Sequence, residues 1–219
     1  MQWLWPVTIA EGGTALRERI FAFDLDGTVT CKETLPVLAR ELGLEDEMAL
    51  LTRLTMEGAF DFQQSFRLRY CVLRNIPLKR IHQIMENIPL EREIERFICD
   101  NAGSCTVVTG NLESWIEPIM EKLGCRFFAS REKERSGNVL PEIDFTDKRA
   151  VIQKLKREAE RVIAVGDGFN DLPMLEEADI AIAYGGVHPP MGKIVSAAEH
   201  VAWNGEELRR ILEDLRHRI

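Results

Sequence analysis

Four short stretches carry polar or charged side chains whose kinds and placement suit chemistry. The first is Phe21-Ala22-Phe23-Asp24-Leu25-Asp26-Gly27-Thr28. An apolar run, Ile20 to Phe23, reads as a buried strand and ends in two carboxylates one residue apart. Gly27 predicts a turn there, which puts Asp24 at the carboxyl edge of a sheet and Asp26 on the loop leaving it. That edge is where open α/β sheets bind ligands. An ordinary strand running into an Asp-Gly turn has the same local pattern.

The second stretch is Val107-Val108-Thr109-Gly110-Asn111. A hydroxyl and backbone N–H groups at a strand-to-helix junction can hold a phosphate oxygen, or Thr109 or Asn111 can simply cap the next helix. The third is Lys148, near a predicted helix start, where a cation opposes the helix dipole and so calls for an anionic partner. Its neighbours Arg149, Lys154 and Lys156 leave a solvated surface lysine as the alternative. The fourth is Val165-Gly166-Asp167-Gly168-Phe169-Asn170-Asp171. Two glycines let the backbone turn at a strand end, and two acids with an amide crowd into one loop. Hard oxygen ligands from a few separate loops suit magnesium.

The elements that must position these stretches alternate along the chain. After Pro89 helices and strands succeed one another: a helix over 90–101, a strand over 105–109, a helix over 112–123 and a short strand over 126–129. A polar stretch, 131–145, carries a hairpin turn at Ser136-Gly137-Asn138. A helix over 147–160, strand 161–165, helix 172–178, strand 179–183, edge strand 200–203 and closing helix 206–218 follow. This order predicts an α/β fold with a mostly parallel Rossmann-like sheet flanked by helices. Between Cys31 and Pro89 the pattern is helical throughout. Four segments are expected: one stopped by Gly43, one over 45–58, one over 61–75 with Asp61 as N-cap and Phe62, Phe66, Leu68 and Leu73 as core, and one after Pro77 with Ile81, Ile84, Met85 and Ile88 on a stripe. They read as a helical bundle inserted after the first strand. The domains expected are therefore an α/β core of residues 1–30 and 90–219 and a helical cap of residues 31–89.

Composition narrows the partners. A net charge of -8 disfavours a nucleic-acid or anionic-membrane partner, which would need a basic face. The five cysteines form no C-x-x-C pair, which reads as reduced thiols in a cytoplasmic protein. Cys31 reads as a small packing residue. Met1 to Glu11 is apolar but short and lacks a basic leader, so it is expected to be neither secretion signal nor membrane span. His188, in the Gly- and Pro-rich loop 184–191, reads as a loop residue.

Taken in order, the four stretches resemble the haloacid dehalogenase-like hydrolase superfamily. The resemblance implies an enzyme, an Mg²⁺-dependent phosphatase of small phosphorylated metabolites. It implies Asp24 as the nucleophile that forms an aspartyl-phosphate and Asp26 as the general acid and base. Thr109, Gly110, Lys148 and Asn170 would hold the phosphoryl group. Mg²⁺ would sit on Asp24, Asp167 and the backbone carbonyl of Asp26, with Asp171 as a direct or outer partner. An acid at Asp26 points to phosphatases and mutases, since transport ATPases carry threonine there. Within the insert, Glu33-Thr34, Met56-Glu57-Gly58, Phe62-x-x-Ser65 and Arg69 resemble the cap of phosphoserine phosphatases. That match implies Glu33 at the substrate ammonium, Arg69 at its carboxylate, and Met56 and Phe62 as shields. Each also has a plain reading: a first-turn acid, a surface arginine and cap core. The chain departs from that pattern at Asn111, where a glycine is usual. The amide would fill space left to substrate and could shift specificity to another phosphomonoester. A phosphomutase and a catalytically silent binding module are the other readings left open.

Overall fold

A computed structural model describes residues 17–133 and 141–217. The N-terminal segment and the hairpin turn at 136–138 lie outside the described residues. Seven strands, β1 (Arg17–Phe23), β2 (Cys105–Leu112), β3 (Arg126–Lys133), β4 (Glu142–Asp144), β5 (Ala159–Gly166), β6 (Ile180–Tyr184) and β7 (His200–Ala202), form one sheet in the order β4-β3-β2-β1-β5-β6-β7. All pairings are parallel except β3 with β4.

The helices are α1 (Thr34–Ala39), α2 (Glu45–Met56), α3 (Phe62–Leu73), α4 (Leu78–Met85), α5 (Arg92–Asp100), α6 (Glu113–Leu123), α7 (Lys148–Leu155), α8 (Leu172–Glu177), α9 (Gly192–Ser196) and α10 (Gly205–His217). Strand alternation sorts β1 between two apolar layers. Phe21 and Phe23 pack on Phe97 of α5, with ring centroids 5.2 and 6.3 Å apart, while Ile20 and Ala22 join Ile152 and Leu155 of α7 and Met174 of α8. A fully buried phenylalanine contributes about 1.5–3 kcal/mol, so this double burial anchors the strand that carries Asp24.

Helices α1 to α4 lie between β1 and β2 in the chain. The two chain crossings that lead into and out of this insert are tied together. Cys31 N–H donates to the Pro89 carbonyl and Glu91 N–H to the Val29 carbonyl, each at 2.8 Å. Over the core, the rings of Phe62, Phe66 and Tyr70 on α3 meet Trp115 of α6 and Phe145, with Tyr70 stacked on Trp115 at 5.9 Å.

Several boundaries differ from the sequence reading. The helix expected over 147–160 ends at Leu155, and β5 begins at Ala159, where it pairs with Arg17 of a β1 longer than its apolar run. Pairing with a neighbour already in place extends a strand past the apolar residues that mark it in sequence. Strand β2 continues to Leu112, so neither Thr109 nor Asn111 caps α6. Leu68 is exposed rather than core, because α3 turns it outward. Cys31 is exposed rather than packed. Helix α9, five residues long, was too short to show a period. Asp61 does cap α3, accepting the Gln64 N–H at 2.9 Å.

Candidate active site

The carboxyl ends of β1, β2 and β5 converge. Strand β1 pairs with β2 on one side and β5 on the other, so the chain reverses its direction of sheet growth there. A crevice opens at such a point. β1 delivers Asp24, whose N–H donates to the Val165 carbonyl of β5 at 2.9 Å. The chain then turns through Leu25–Val29, with Gly27 at φ +79. A Cβ on Gly27 would stand 2.5 Å from Asp167 Oδ2, so glycine is required by both conformation and space.

Lys148, at the start of α7, is buried rather than solvated. Its ammonium bonds to Asp24 and, at 2.5 Å, to Asp171 Oδ1. Asp171 Oδ2 accepts the N–H groups of Asp167 at 3.1 Å and Gly168 at 3.0 Å. Asp171 is thus fully engaged as a brace of the β5 loop. Asp167 Oδ1 accepts the Thr28 hydroxyl at 3.4 Å, and its Oδ2 is buried without a partner.

Burial raises the Asp24 carboxyl to about 8, with Asp171 adding to the shift and Lys148 opposing it. Burial, then Asp171 and Glu33, likewise push Asp167 well above the usual carboxylate range. Burial opposes the Lys148 charge, but Asp171 and Asp24 outweigh it and hold the group above its ordinary range. Asp24, Asp167 and Asp171 each offer an oxygen within 4.8 Å of the others, and this buried cluster can hold a divalent cation. The orphaned Asp167 Oδ2 beside Asp24 fits a hard cation, whereas Asp171 fits an outer position.

Asp26 sits on the turn, its Oδ1 accepting the N–H of Thr34 at 3.0 Å and the Thr34 hydroxyl. Thr109 is buried on β2. Its hydroxyl accepts the Asn111 N–H at 3.0 Å, which leaves its own hydrogen to donate. Gly110 is covered by Phe62: a Cβ there would stand 2.2 Å from Phe62 Cζ.

A cavity of about 50 Å³ joins these groups; Asp24, Asp26, Glu33, Met56, Phe62, Arg69, Thr109, Gly110, Asn111, Asp167 and Asn170 all line it. A second cavity of about 560 Å³ adjoins it beyond Phe62 and reaches Lys148 and Thr146. Among the described residues, three buried side-chain oxygens have no hydrogen-bond partner: Glu33 Oε1, Thr146 Oγ1 and Asp167 Oδ2. All three border these two cavities. Buried polar atoms without partners are uncommon, so their concentration here marks a place built for something else to bind.

Arg69 is buried, not a surface arginine. It donates to Thr52 Oγ1 at 3.0 Å and to the Ser65 carbonyl at 3.4 Å. Burial lowers its guanidinium to about 10, with Glu33 and Asp26 acting the other way. Burial raises Glu33 well above the carboxylate range, with Asp26 and Asp24 adding to it. Sequence reasoning missed three neighbours. His188 comes within 3.7 Å of Glu33 Oε1. Thr34 and Asn111 both touch Asp26. Each had left a trace without a role at Asp26 or Glu33: His188 as a loop residue, Thr34 beside Glu33 in the cap match, and Asn111 as a departure from a pattern.

A family model for haloacid dehalogenase-like hydrolases matches residues 21–176. The chain belongs to this family. It is 30% identical over 181 residues to a phosphoserine phosphatase of Methanocaldococcus jannaschii, covering 77% of this chain and 86% of that one. It is 29% identical to one of Archaeoglobus fulgidus, covering 76% of this chain but 52% of that relative, so it spans about half its length. Among solved structures, a phospho-aspartyl intermediate analogue of phosphoserine phosphatase superposes with a TM-score of 0.75 at 27% identity, covering 90% of this chain and 99% of that one.

Proposed function

We propose that this hydrolase is an Mg²⁺-dependent phosphatase of L-phosphoserine that works through an aspartyl-phosphate on Asp24. The observation that carries the substrate is the placing of two opposite charges, half-buried Glu33 and buried Arg69, on the cavity that holds Asp24 and Asp26. Glu33 Oε1 lacks a hydrogen-bond partner, with His188 no nearer than 3.7 Å, which suits a substrate ammonium; the Arg69 fork suits a carboxylate. The phosphoester then points at Asp24. Residues 31–89 act as a cap whose movement admits substrate past Phe62, since about 50 Å³ holds little more than water.

In the first step an Asp24 oxygen attacks phosphorus, the P–O bond to serine breaks, and Asp26 gives its proton to the departing oxygen. In the second, water loses a proton to Asp26 and attacks phosphorus, which frees Asp24 and inorganic phosphate. Lys148 and Thr109 hold phosphoryl oxygens, Gly110 lets the substrate chain come close, and Asn170 borders the same space. Mg²⁺, held by Asp24, Asp167 and the Asp26 carbonyl with Asp171 behind them, would supply positive charge that offsets repulsion between carboxylate and phosphate. Free cysteines, all five unpaired, support a cytoplasmic setting. Among the described residues no helix is long and apolar enough to cross a membrane.

Phosphate release across a panel of phosphomonoesters with and without Mg²⁺ tests the reading. Preference for L-phosphoserine, lost in Asp24→Asn, is the expected result. Release from other esters but not from phosphoserine contradicts the roles of Glu33 and Arg69.

A further inference from the structure

We infer that Asn111 and Thr34 are positioning residues that fix which oxygen of Asp26 meets the leaving group. The inference rests on the proposed role of Asp26 as the acid.

The chain itself sets the orientation of Asn111. Its Oδ1 accepts the Leu112 N–H at 2.9 Å, so the other end of the amide must be the nitrogen. That nitrogen lies 2.7 Å from Thr34 Oγ1 and 3.3 Å from Asp26 Oδ2, one hydrogen for each. Having accepted from Asn111, the Thr34 hydroxyl has its own hydrogen left, and Asp26 Oδ1 receives it. The Thr34 N–H reaches the same oxygen at 3.0 Å. Donors therefore run one way, from Leu112 through Asn111 and Thr34 to Asp26.

The two oxygens of Asp26 end in different states. Oδ1 has two close donors from Thr34, while Oδ2 has a single long one. The proton passed to the departing oxygen, and later taken from water, therefore travels on Oδ2. Thr34 is fully buried and Asn111 is 3% exposed, so bulk solvent has little access to the donors of these bonds. β2 and the insert each contribute one of the two residues, 77 positions apart. The clamp is thus complete only when the insert lies over the core. On this reading Asn111 orients the acid rather than narrowing the substrate space.

A pair of substrates of nearly one shape separates orientation of the acid from general damage. The serine oxygen of L-phosphoserine needs a proton as it leaves. L-cysteine-S-phosphate releases a thiol of pKa about 8.5, which leaves with little help. kcat/KM reports every step up to that departure. For Asn111→Gly and Thr34→Val, kcat/KM on L-phosphoserine is expected to fall at least about tenfold, part of what general acid catalysis supplies. On L-cysteine-S-phosphate it should change much less, and Thr34→Ser should restore the phosphoserine rate. Equal losses on both substrates, no loss on either, or a change confined to KM would each overturn the inference. Asp26→Asn, run alongside, keeps the two levels apart. If it loses selectively on phosphoserine while the other variants do not, only the clamp falls. If it loses equally on both, the acid role of Asp26 falls and the clamp falls with it.

Discussion

The ammonium of Lys148 lies 2.5 Å from Asp171 Oδ1 while also bonding to Asp24, and all three groups are buried. One cation thus offsets two carboxylates brought from β1 and the β5 loop. Removing it leaves the buried Asp171 carboxylate without its cation and with the Asp24 carboxyl beside it. Lys148→Met should destabilise the protein by about 3–5 kcal/mol at neutral pH, the usual cost of breaking a buried ion pair from one side. Chemical denaturation measures this. Phosphate release should be lost as well, even where the variant is fully folded.

Metal and pH should act on stability together. Without a metal ion, burial and Asp171 raise Asp24 to about 8, and Asp167 shifts the same way. A carboxyl raised on folding stabilises most below its unfolded value of about 4, and that contribution is lost as pH rises through the folded value. The metal-free protein should therefore lose stability between about pH 4 and pH 8 from these groups. Bound Mg²⁺ removes the penalty by favouring both carboxylates. The rise in Tm on exchanging EDTA for Mg²⁺ should be larger at pH 8 than at pH 5.5. An equal rise at both would contradict it.

On the proposed reading, selectivity divides between Glu33 and Arg69. O-phosphoethanolamine has the ammonium of phosphoserine but not its carboxylate. Arg69→Met should raise KM for phosphoserine by about ten- to a hundredfold, the worth of a charged hydrogen bond, and leave that for phosphoethanolamine nearly unchanged. Glu33→Gln should raise both. Parallel KM series on the two substrates give the answer.

Gly27 offers a test of the proposed metal site. At φ +79, with a Cβ position 2.5 Å from Asp167 Oδ2, alanine must displace the one carboxylate oxygen of Asp167 that has no hydrogen-bond partner. Gly27→Ala should weaken Mg²⁺ affinity, read by calorimetry, by about tenfold or more, as expected for a metal ligand pushed out of place.

Much of the fold and the core of this site could be read from sequence because both are local. Asp24, Thr109 and Asp167 each follow an apolar run, and the glycines after Asp24 and around Asp167 mark turns. Asp61 and Gly43 punctuate the insert by the same logic. What stayed hidden depends on partners distant in the chain. By composition Arg69 looks like its exposed neighbours, and only the cap resemblance singles it out; its burial needs α2 and the aromatic cluster. Asp171 has the composition of a ligand, yet Lys148 and two backbone N–H groups occupy it. The orientation of Asn111 needs Thr34, which belongs to another element. The end of α7 and the start of β5 depend on pairing with Arg17, which no local period records.

The most direct measurement is of the covalent intermediate. Enzyme mixed with L-phosphoserine and Mg²⁺, quenched in acid and digested, is analysed by mass spectrometry for a phosphoryl group on the peptide that contains Asp24. A phosphorylated Asp24, formed no more slowly than phosphate is released and absent in Asp24→Ala, is the predicted result. Steady phosphate release with no phosphoryl group on Asp24, or undiminished release by Asp24→Ala, would contradict it.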